Sequence, residues 1–216
     1  RENPVDVFIS RTGAGFTKMP AGSVIGTSSL RRGAQLRHAR PDIVIQPIRG
    51  NLDTRLKKLE SENFDALVLA AAGVQRLNLE HKITEYLDAT VMLPAIGQGA
   101  LCVEIRKDDP TVGPMVAAMD HAPTRAIVSG ERAFLRRLEG GCQVPIAGHG
   151  VIDQNIFKLT GLVANLDGSR ILKATLSGSI DSTESVGISL AKQLLDRGAD
   201  KILEQLQSME SANHGS

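Results

Sequence analysis

Residues 24–77 read VIGTSSLRRGAQLRHARPDIVIQPIRGNLDTRLKKLESENFDALVLAAAGVQRL. Short apolar runs, Val24-Ile25-Gly26, Ile43-Val44-Ile45 and Ala66-Leu67-Val68-Leu69-Ala70, alternate with amphipathic stretches from Leu30 to Ala39, Leu52 to Leu59 and Val74 to Leu77. Strand followed by helix, repeated at this spacing, predicts βαβ units and a mainly parallel sheet. Thr27-Ser28-Ser29 and Gly50-Asn51 offer N-cap side chains, while Pro41 and Pro47 stop the elements before them. Upstream, Val5-Asp6-Val7-Phe8-Ile9 reads as another strand. Residues 1–96 are therefore assigned to one α/β domain.

Working downstream, Pro94-Ala95-Ile96-Gly97-Gln98-Gly99 interrupts this pattern, and Ala100 to Ile105 is strand-like. Residues 97–120 are read as a crossover between domains. Thr124 to Leu138 predicts an amphipathic helix with Ile127, Ala133, Phe134 and Leu138 inward and Arg132, Arg136 and Arg137 outward. Three strands on short turns follow, Ile146 to Ile152, Ile156 to Ala164 and Arg170 to Ser177, an antiparallel meander. Helices from Ser185 to Arg197 and Lys201 to Leu206 complete an α+β domain over 121–210, and 211–216 are expected to be a disordered tail.

The 216 residues carry 25 Lys+Arg against 24 Asp+Glu and are 42% hydrophobic, a globular composition that excludes disordered and collagen-like classes. No apolar stretch approaches the roughly 20 residues that span a bilayer, and Arg1-Glu2-Asn3-Pro4 lacks a secretory profile, so the expected compartment is the cytoplasm without a membrane partner. Absent Trp and a single Tyr argue against base-stacking recognition of nucleic acid. Cys102 and Cys142 have no CxxC spacing, so neither a metal site nor a disulfide scaffold is expected and both are read as reduced thiols. A start without Met that runs straight into a strand suggests the middle of a larger protein.

Between Val24 and Lys58 lie Arg31, Arg32, Arg37, Arg40, Arg49, Arg55, Lys57 and Lys58, against only Asp42 and Asp53. Arg31 and Arg32 fall in a first helical turn, where a cation opposes the helix dipole at a cost of a few tenths of a kcal/mol. That placement suits an anion, bound by guanidinium forks and turn amides, and Arg49 and Arg55 flank the next strand-to-helix turn at the same end of the sheet. Arg37, Arg40, Lys57 and Lys58 read instead as solvated helix faces. No GxGxxG or GxxxxGK[ST] signature is present, and Gly97-Gln98-Gly99 alone is weak.

Cys142 sits in Glu139-Gly140-Gly141-Cys142-Gln143-Val144-Pro145, where two glycines and a proline deny regular structure and display the thiol on a turn. It is either an idle thiol or a site of chemistry. A helix C-terminus just before it would raise its pKa and Arg136 and Arg137 would lower it, a setting suited to one covalent event rather than rapid turnover. His149, seven residues on, makes only a weak case for a Cys/His pair.

Five runs in order, Gly26-Thr27-Ser28-Ser29-Leu30-Arg31-Arg32, Ile48-Arg49-Gly50-Asn51-Leu52-Asp53-Thr54-Arg55, Leu69-Ala70-Ala71-Ala72-Gly73-Val74-Gln75-Arg76-Leu77, Leu93-Pro94-Ala95-Ile96-Gly97-Gln98-Gly99 and the Cys142 loop, resemble the porphobilinogen deaminase (hydroxymethylbilane synthase) family. The resemblance implies a transferase of haem and porphyrin synthesis that joins four porphobilinogen molecules into hydroxymethylbilane with release of ammonia. It implies a dipyrromethane cofactor on Cys142 through a thioether, with Ser29, Arg31, Arg32 and Arg49 as cofactor ligands. Arg55, Arg76, Thr27 and Gly73 would bind substrate.

The implied fold is a periplasmic-binding-protein-like domain with a parallel or mixed sheet over 1–96, a crossover that returns to a largely absent first domain, and a small α+β domain with an antiparallel three-stranded sheet that carries the cysteine loop. The implied protein is a monomer. No catalytic residue is assigned here: the family's aspartate, in a Lys-Asp-Leu-Pro stretch, would precede residue 1, making this chain the C-terminal two-thirds and inactive alone. The competing readings are a non-enzymatic anion-binding or sensor module on the same type of fold and, less favoured, a nucleic-acid binder.

Overall fold

The structure, a computed structural model, describes residues 1–139 and 144–214. Its first sheet has five strands, β1 (Asp6–Ser10), β2 (Val24–Gly26), β3 (Val44–Gln46), β4 (Ala66–Ala70) and β5 (Glu85–Tyr86), in the order β3-β2-β4-β1-β5. β2 runs parallel to both β3 and β4, whereas β1 is antiparallel to β4 and β5. The sheet is mixed, within the parallel or mixed form that the resemblance implies, although the strand–helix alternation alone predicts a mainly parallel one. Helices α1 (Leu30–Ala39), α2 (Leu52–Ser61) and α3 (Ala71–Arg76) each follow a parallel strand. Their N-termini consequently gather at one edge of the sheet. β4 passes into α3 with no loop between them, so that helix begins at Ala71 rather than Val74.

The N-caps are those read from the sequence. Ser29 accepts from the Arg32 amide and Asn51 from the Thr54 amide. Each such cap is worth about 1 kcal/mol. Apolar residues pack on both faces of the sheet, Val7, Leu56, Leu67 and Val74 on one and Phe8, Phe16, Ile25, Leu36 and Val68 on the other.

Beyond α4 (Val112–Ala117), helix α5 (Ala122–Arg137) leads to an antiparallel sheet of β6 (Ile146–Asp153), β7 (Ile156–Ala164) and β8 (Ile171–Ser179). α6 (Thr183–Leu194) and α7 (Asp200–His214) follow, with Gly198 at φ 96° in the kink between them. Phe134, Phe157, Leu159, Leu190 and Leu194 form the core beneath this sheet. α7 continues past Leu206, because nothing from Lys201 to His214 is Gly or Pro; the tail expected to be disordered from 211 is helical to His214.

The strand expected at Ala100 to Ile105 is absent: these residues pair with no strand, and Leu101 to Ile105 are exposed. Leu101 and Val103 are 77% and 52% exposed, and Met115 and Met119 of the same crossover are 66% and 70% exposed. No described helix is long and apolar enough to cross a membrane.

α1 joins the two sheets. Ala34 and Leu93 pack with Ala147, Leu162 and Ala164, and the β7–β8 hairpin turn lies against the C-terminal turn of α1. Arg37 Nη1 donates to Leu166 O at 2.9 Å, and His38 Nδ1 lies 2.9 Å from Gly168 O as its donor. Arg37 is thus a brace, not a solvated residue, and Arg40 is pinned to Asp42 at 2.6 Å. Gly168 has φ 74° and approaches the α1 backbone too closely for a side chain.

α5 crosses α6 at Gly130 and Gly187, where a Cβ on Gly187 would overlap the Gly130 carbonyl and lie 2.9 Å from the Phe134 amide. Both obstacles are backbone and cannot swing aside. Gly187→Ala is expected to lower unfolding free energy by about 1–3 kcal/mol, measured as a drop in the urea midpoint at unchanged m-value.

Candidate functional site

Whereas Arg76 is the last residue of α3 and Arg37 and Arg40 lie at the far end of α1, Arg31, Arg32, Arg49 and Arg55 stand at or just before the first turns of α1 and α2, at the edge where α3 also begins. Strand order turns there between β2 and β4, the position at which open sheets of this kind hold ligands. The β2–α1 and β3–α2 loops are clasped by Ser28, whose hydroxyl donates to Ile48 O at 2.7 Å and accepts from the Ile48 amide at 3.0 Å. The Thr27 amide donates to Gln46 O at 3.0 Å. Thr27, expected to offer that amide to a ligand, is 4% exposed and spends it on the sheet. Ser29 keeps its hydroxyl proton while its oxygen caps α1, and Gly73 lies in the first turn of α3 against Leu52.

Arg31 and Arg32 are buried, at 5% and 9% exposure, and Asp6 between them is 0% exposed. Arg31 Nη1 donates to Asp6 Oδ2 and to Leu93 O, each at 2.7 Å, and Nη2 donates to Gln98 Oε1 at 3.3 Å. Arg32 donates to Asp6 Oδ1 from Nε at 3.0 Å and from Nη2 at 2.7 Å, and its Nη1 reaches Val68 O at 3.2 Å. Gln98 Nε2 adds bonds to Pro4 O and Asp6 Oδ1 at 2.5 and 3.1 Å.

Burial alone would raise the Asp6 pKa, but the charges and hydrogen bonds of Arg31 and Arg32 outweigh it and hold the carboxyl below its ordinary value. Burial is also the main force lowering the Arg32 pKa; Asp6 opposes it, while Arg31 and Arg55 add to it. The cation in the first turn of α1 thus has an internal anion, which was missed in the sequence. Its signal was an aspartate inside an otherwise apolar strand, a placement that requires a partner.

Arg55 is half-buried, with Nε donating to Gly50 O at 2.8 Å, and Arg49 and Arg76 are exposed. Among the described residues none of these three is in an ion pair. Arg49, next to the Ile48 clasp, and Arg55, whose charge acts on Arg32, leave guanidinium edges for ligand carboxylates beside the Arg31–Arg32 pair. That donor set fits an acid-bearing group such as dipyrromethane. Cys142 itself lies outside the described residues; Cys102 is a free, exposed thiol. Among the described residues no cluster of three or more His, Cys, Asp or Glu is arranged to hold a metal.

A second buried ion pair connects this edge to α5. Glu131, 0% exposed, receives Arg1 at 2.6 and 3.2 Å, accepts the Gly97 amide on Oε2 at 2.7 Å and the Gly150 amide on Oε1 at 2.8 Å. Arg1 Nε also donates to Gln98 O at 2.9 Å. Half-buried His149 lies beside them on β6. Burial lowers its pKa, Glu131 opposes that shift and Arg1 reinforces it. Two surface depressions, about 530 Å³ around Arg170, Arg197 and Lys201 and about 910 Å³ along Leu101, Met119 and Arg132, both lie apart from the arginine edge.

Family models cover both units. One described as "Porphobilinogen deaminase, dipyromethane cofactor binding domain" matches residues 1–113, and one described as "Porphobilinogen deaminase, C-terminal domain" matches 126–196. The chain is 50% identical over 207 residues to a porphobilinogen deaminase of Carboxydothermus hydrogenoformans, covering 96% of this chain and 67% of the relative. It is 49% identical over 210 residues to one from Pelobacter propionicus, covering 97% and 67%, and 48% identical over 205 residues to one from Bacillus cereus, covering 94% and 66%. The chain therefore spans about two thirds of the length of these relatives.

His149 has a folded pKa below its ordinary 6.5, so the unfolded chain takes up that proton first as pH falls. Stability is expected to drop as pH decreases through 6.5, and His149→Gln to flatten that slope in urea midpoints read from pH 7.5 to 5.5. The depressed Asp6 adds a second loss of stability, beginning as pH falls below about 4.

Proposed function

The chain belongs to the porphobilinogen deaminase family, the hydroxymethylbilane synthases of tetrapyrrole synthesis, whose cofactor-binding domain it contains, and on that premise we propose how its residues divide the work. Arg31, Arg32, Arg49 and the Ser29 hydroxyl hold the acid side chains of a dipyrromethane attached through a thioether to Cys142. Bound there, this group supplies the primer on which porphobilinogen units are joined. Arg55 and Arg76, with the Gly73 turn, receive the carboxylates of incoming porphobilinogen. The observation that carries the reading is the buried Arg31–Arg32 pair with Arg49 and Arg55 on the adjoining loop and helix, both without carboxylate partners among the described residues.

Each pyrrole bears an acetate and a propionate, so the lengthening chain multiplies the carboxylates that such an edge accepts. Asp6 and Asp42 are not assigned as the proton donor to the leaving amine, because both carboxylates are committed to arginines, Asp6 to Arg31 and Arg32 and Asp42 to Arg40. The reading assigns the proton donor to the family's aspartate in a Lys-Asp-Leu-Pro stretch, which is not among these 216 residues, and takes the enzyme as monomeric and cytoplasmic. Residues 1–96 form its periplasmic-binding-protein-like domain and 121–210 its cofactor-anchoring domain. The crossover over 97–120 packs on a further domain, supported by the exposed Leu101, Val103, Met115 and Met119.

In the full-length enzyme, intact mass is expected to show a dipyrromethane adduct that Cys142→Ser removes; an unmodified thiol throughout would overturn the reading. Arg55→Ala is expected to weaken porphobilinogen binding, read by calorimetry, by about 1.5–3 kcal/mol, the usual worth of a hydrogen bond to a charged group.

A further inference from the structure

Resting on the reading of Arg31 and Arg32 as ligands of the cofactor's carboxylates, we propose that Asp6 is the positioning residue of that pair, fixing both guanidiniums so that their remaining donors form a preformed carboxylate site. Asp6 stands on β1, next to β4 in the sheet, and Arg31 and Arg32 are consecutive on α1. Consecutive residues on a helix point about 100° apart, and like charges repel, so nothing local brings these two guanidiniums together. The Asp6 carboxylate does so, with Oδ2 taking Arg31 and Oδ1 taking both Nε and Nη2 of Arg32.

Carbonyl groups fix the outer edges. Leu93 O holds Arg31 and Val68 O holds Arg32, while Gln98 bonds both Asp6 and Arg31. A guanidinium has five N–H donors, so each arginine keeps donors beyond the bonds described. Two cations against one anion leave the cluster with a net positive charge. It is therefore oriented and still attractive to a carboxylate.

Charge and geometry predict opposite effects of altering Asp6, which makes the role measurable. Its negative charge weakens the pull of the arginines on an anionic ligand, so neutralising it strengthens that pull electrostatically. Its position, in contrast, supplies the preorganisation that lowers the entropy cost of binding. If positioning dominates, both Asp6→Asn, which removes the charge, and Asp6→Glu, which keeps it but moves it by one methylene, weaken binding. If Asp6 serves only to balance charge, Asp6→Asn tightens binding and Asp6→Glu leaves it unchanged.

The test uses full-length protein in a Cys142→Ser background, so that only reversible binding is read. Porphobilinogen is titrated by calorimetry at fixed ionic strength, with urea midpoints recorded alongside. At least an about tenfold weakening in both variants is expected, because a fixed fork is what makes Arg–carboxylate pairing strong. Should Asp6→Asn not fold, Asp6→Glu decides alone. Binding that is unchanged in Asp6→Glu, or tighter in Asp6→Asn, overturns the positioning role while leaving the deaminase reading standing. A Cys142→Ser parent that binds no porphobilinogen overturns that reading and the inference with it.

Discussion

The Asp6 carboxylate, buried between Arg31 and Arg32, is the contact on which the arrangement of the first unit depends. Three charges removed from water are costly unless each is paired and its remaining polar atoms are bonded. Here the carbonyls of Leu93 and Val68 and the Gln98 amide complete the set, and no described buried side-chain polar atom lacks a partner. One cluster thereby ties β1, β4, the start of α1 and the loop after Met92 into a single polar core. Removing Asp6 alone would leave two buried cations facing each other, which explains why the strand tolerates a charge among apolar residues.

From this cluster hydrogen bonds run onward through Gln98 to Arg1 and Glu131, and from Glu131 into α5 and β6. The other end of α1 is gripped by the β7–β8 hairpin through Arg37 and His38. α1 is thus held at both ends, once by its own sheet and once by the second unit. The helix that presents Arg31 and Arg32 cannot shift without moving the sheet that follows the Cys142 loop in sequence. This coupling ties the arginine edge of the first unit to the sheet of the second.

Much of this was legible in advance because it is local. The strand–helix alternation from Val24 to Leu77, the Ser29 and Asn51 caps and the β6–β8 meander follow from periodicities and cap chemistry that need no distant partner. The antiparallel course of β1 was not legible, because Asp6–Ser10 pair with Ala66–Ala70, a partner separated from them in the chain by β2, α1, β3 and α2. Nor was the role of Arg37, which depends on a hairpin 129 positions away in the chain. The strand expected over Ala100 to Ile105 failed for the complementary reason: extended propensity without an available edge makes no ladder.

The sequence alone determined the two units, the family through five ordered motif runs, and the concentration of arginines at strand-to-helix turns. Only the tertiary structure decided which of those arginines are partnered. Arg31 and Arg32 are ion-paired to Asp6 and buried, whereas Arg49 and Arg76 stay exposed and Arg55 half-buried, all three without a carboxylate among the described residues. The physical reason is that a charge's partner is set by proximity in space, and the strand carrying Asp6 meets α1 only across a finished sheet.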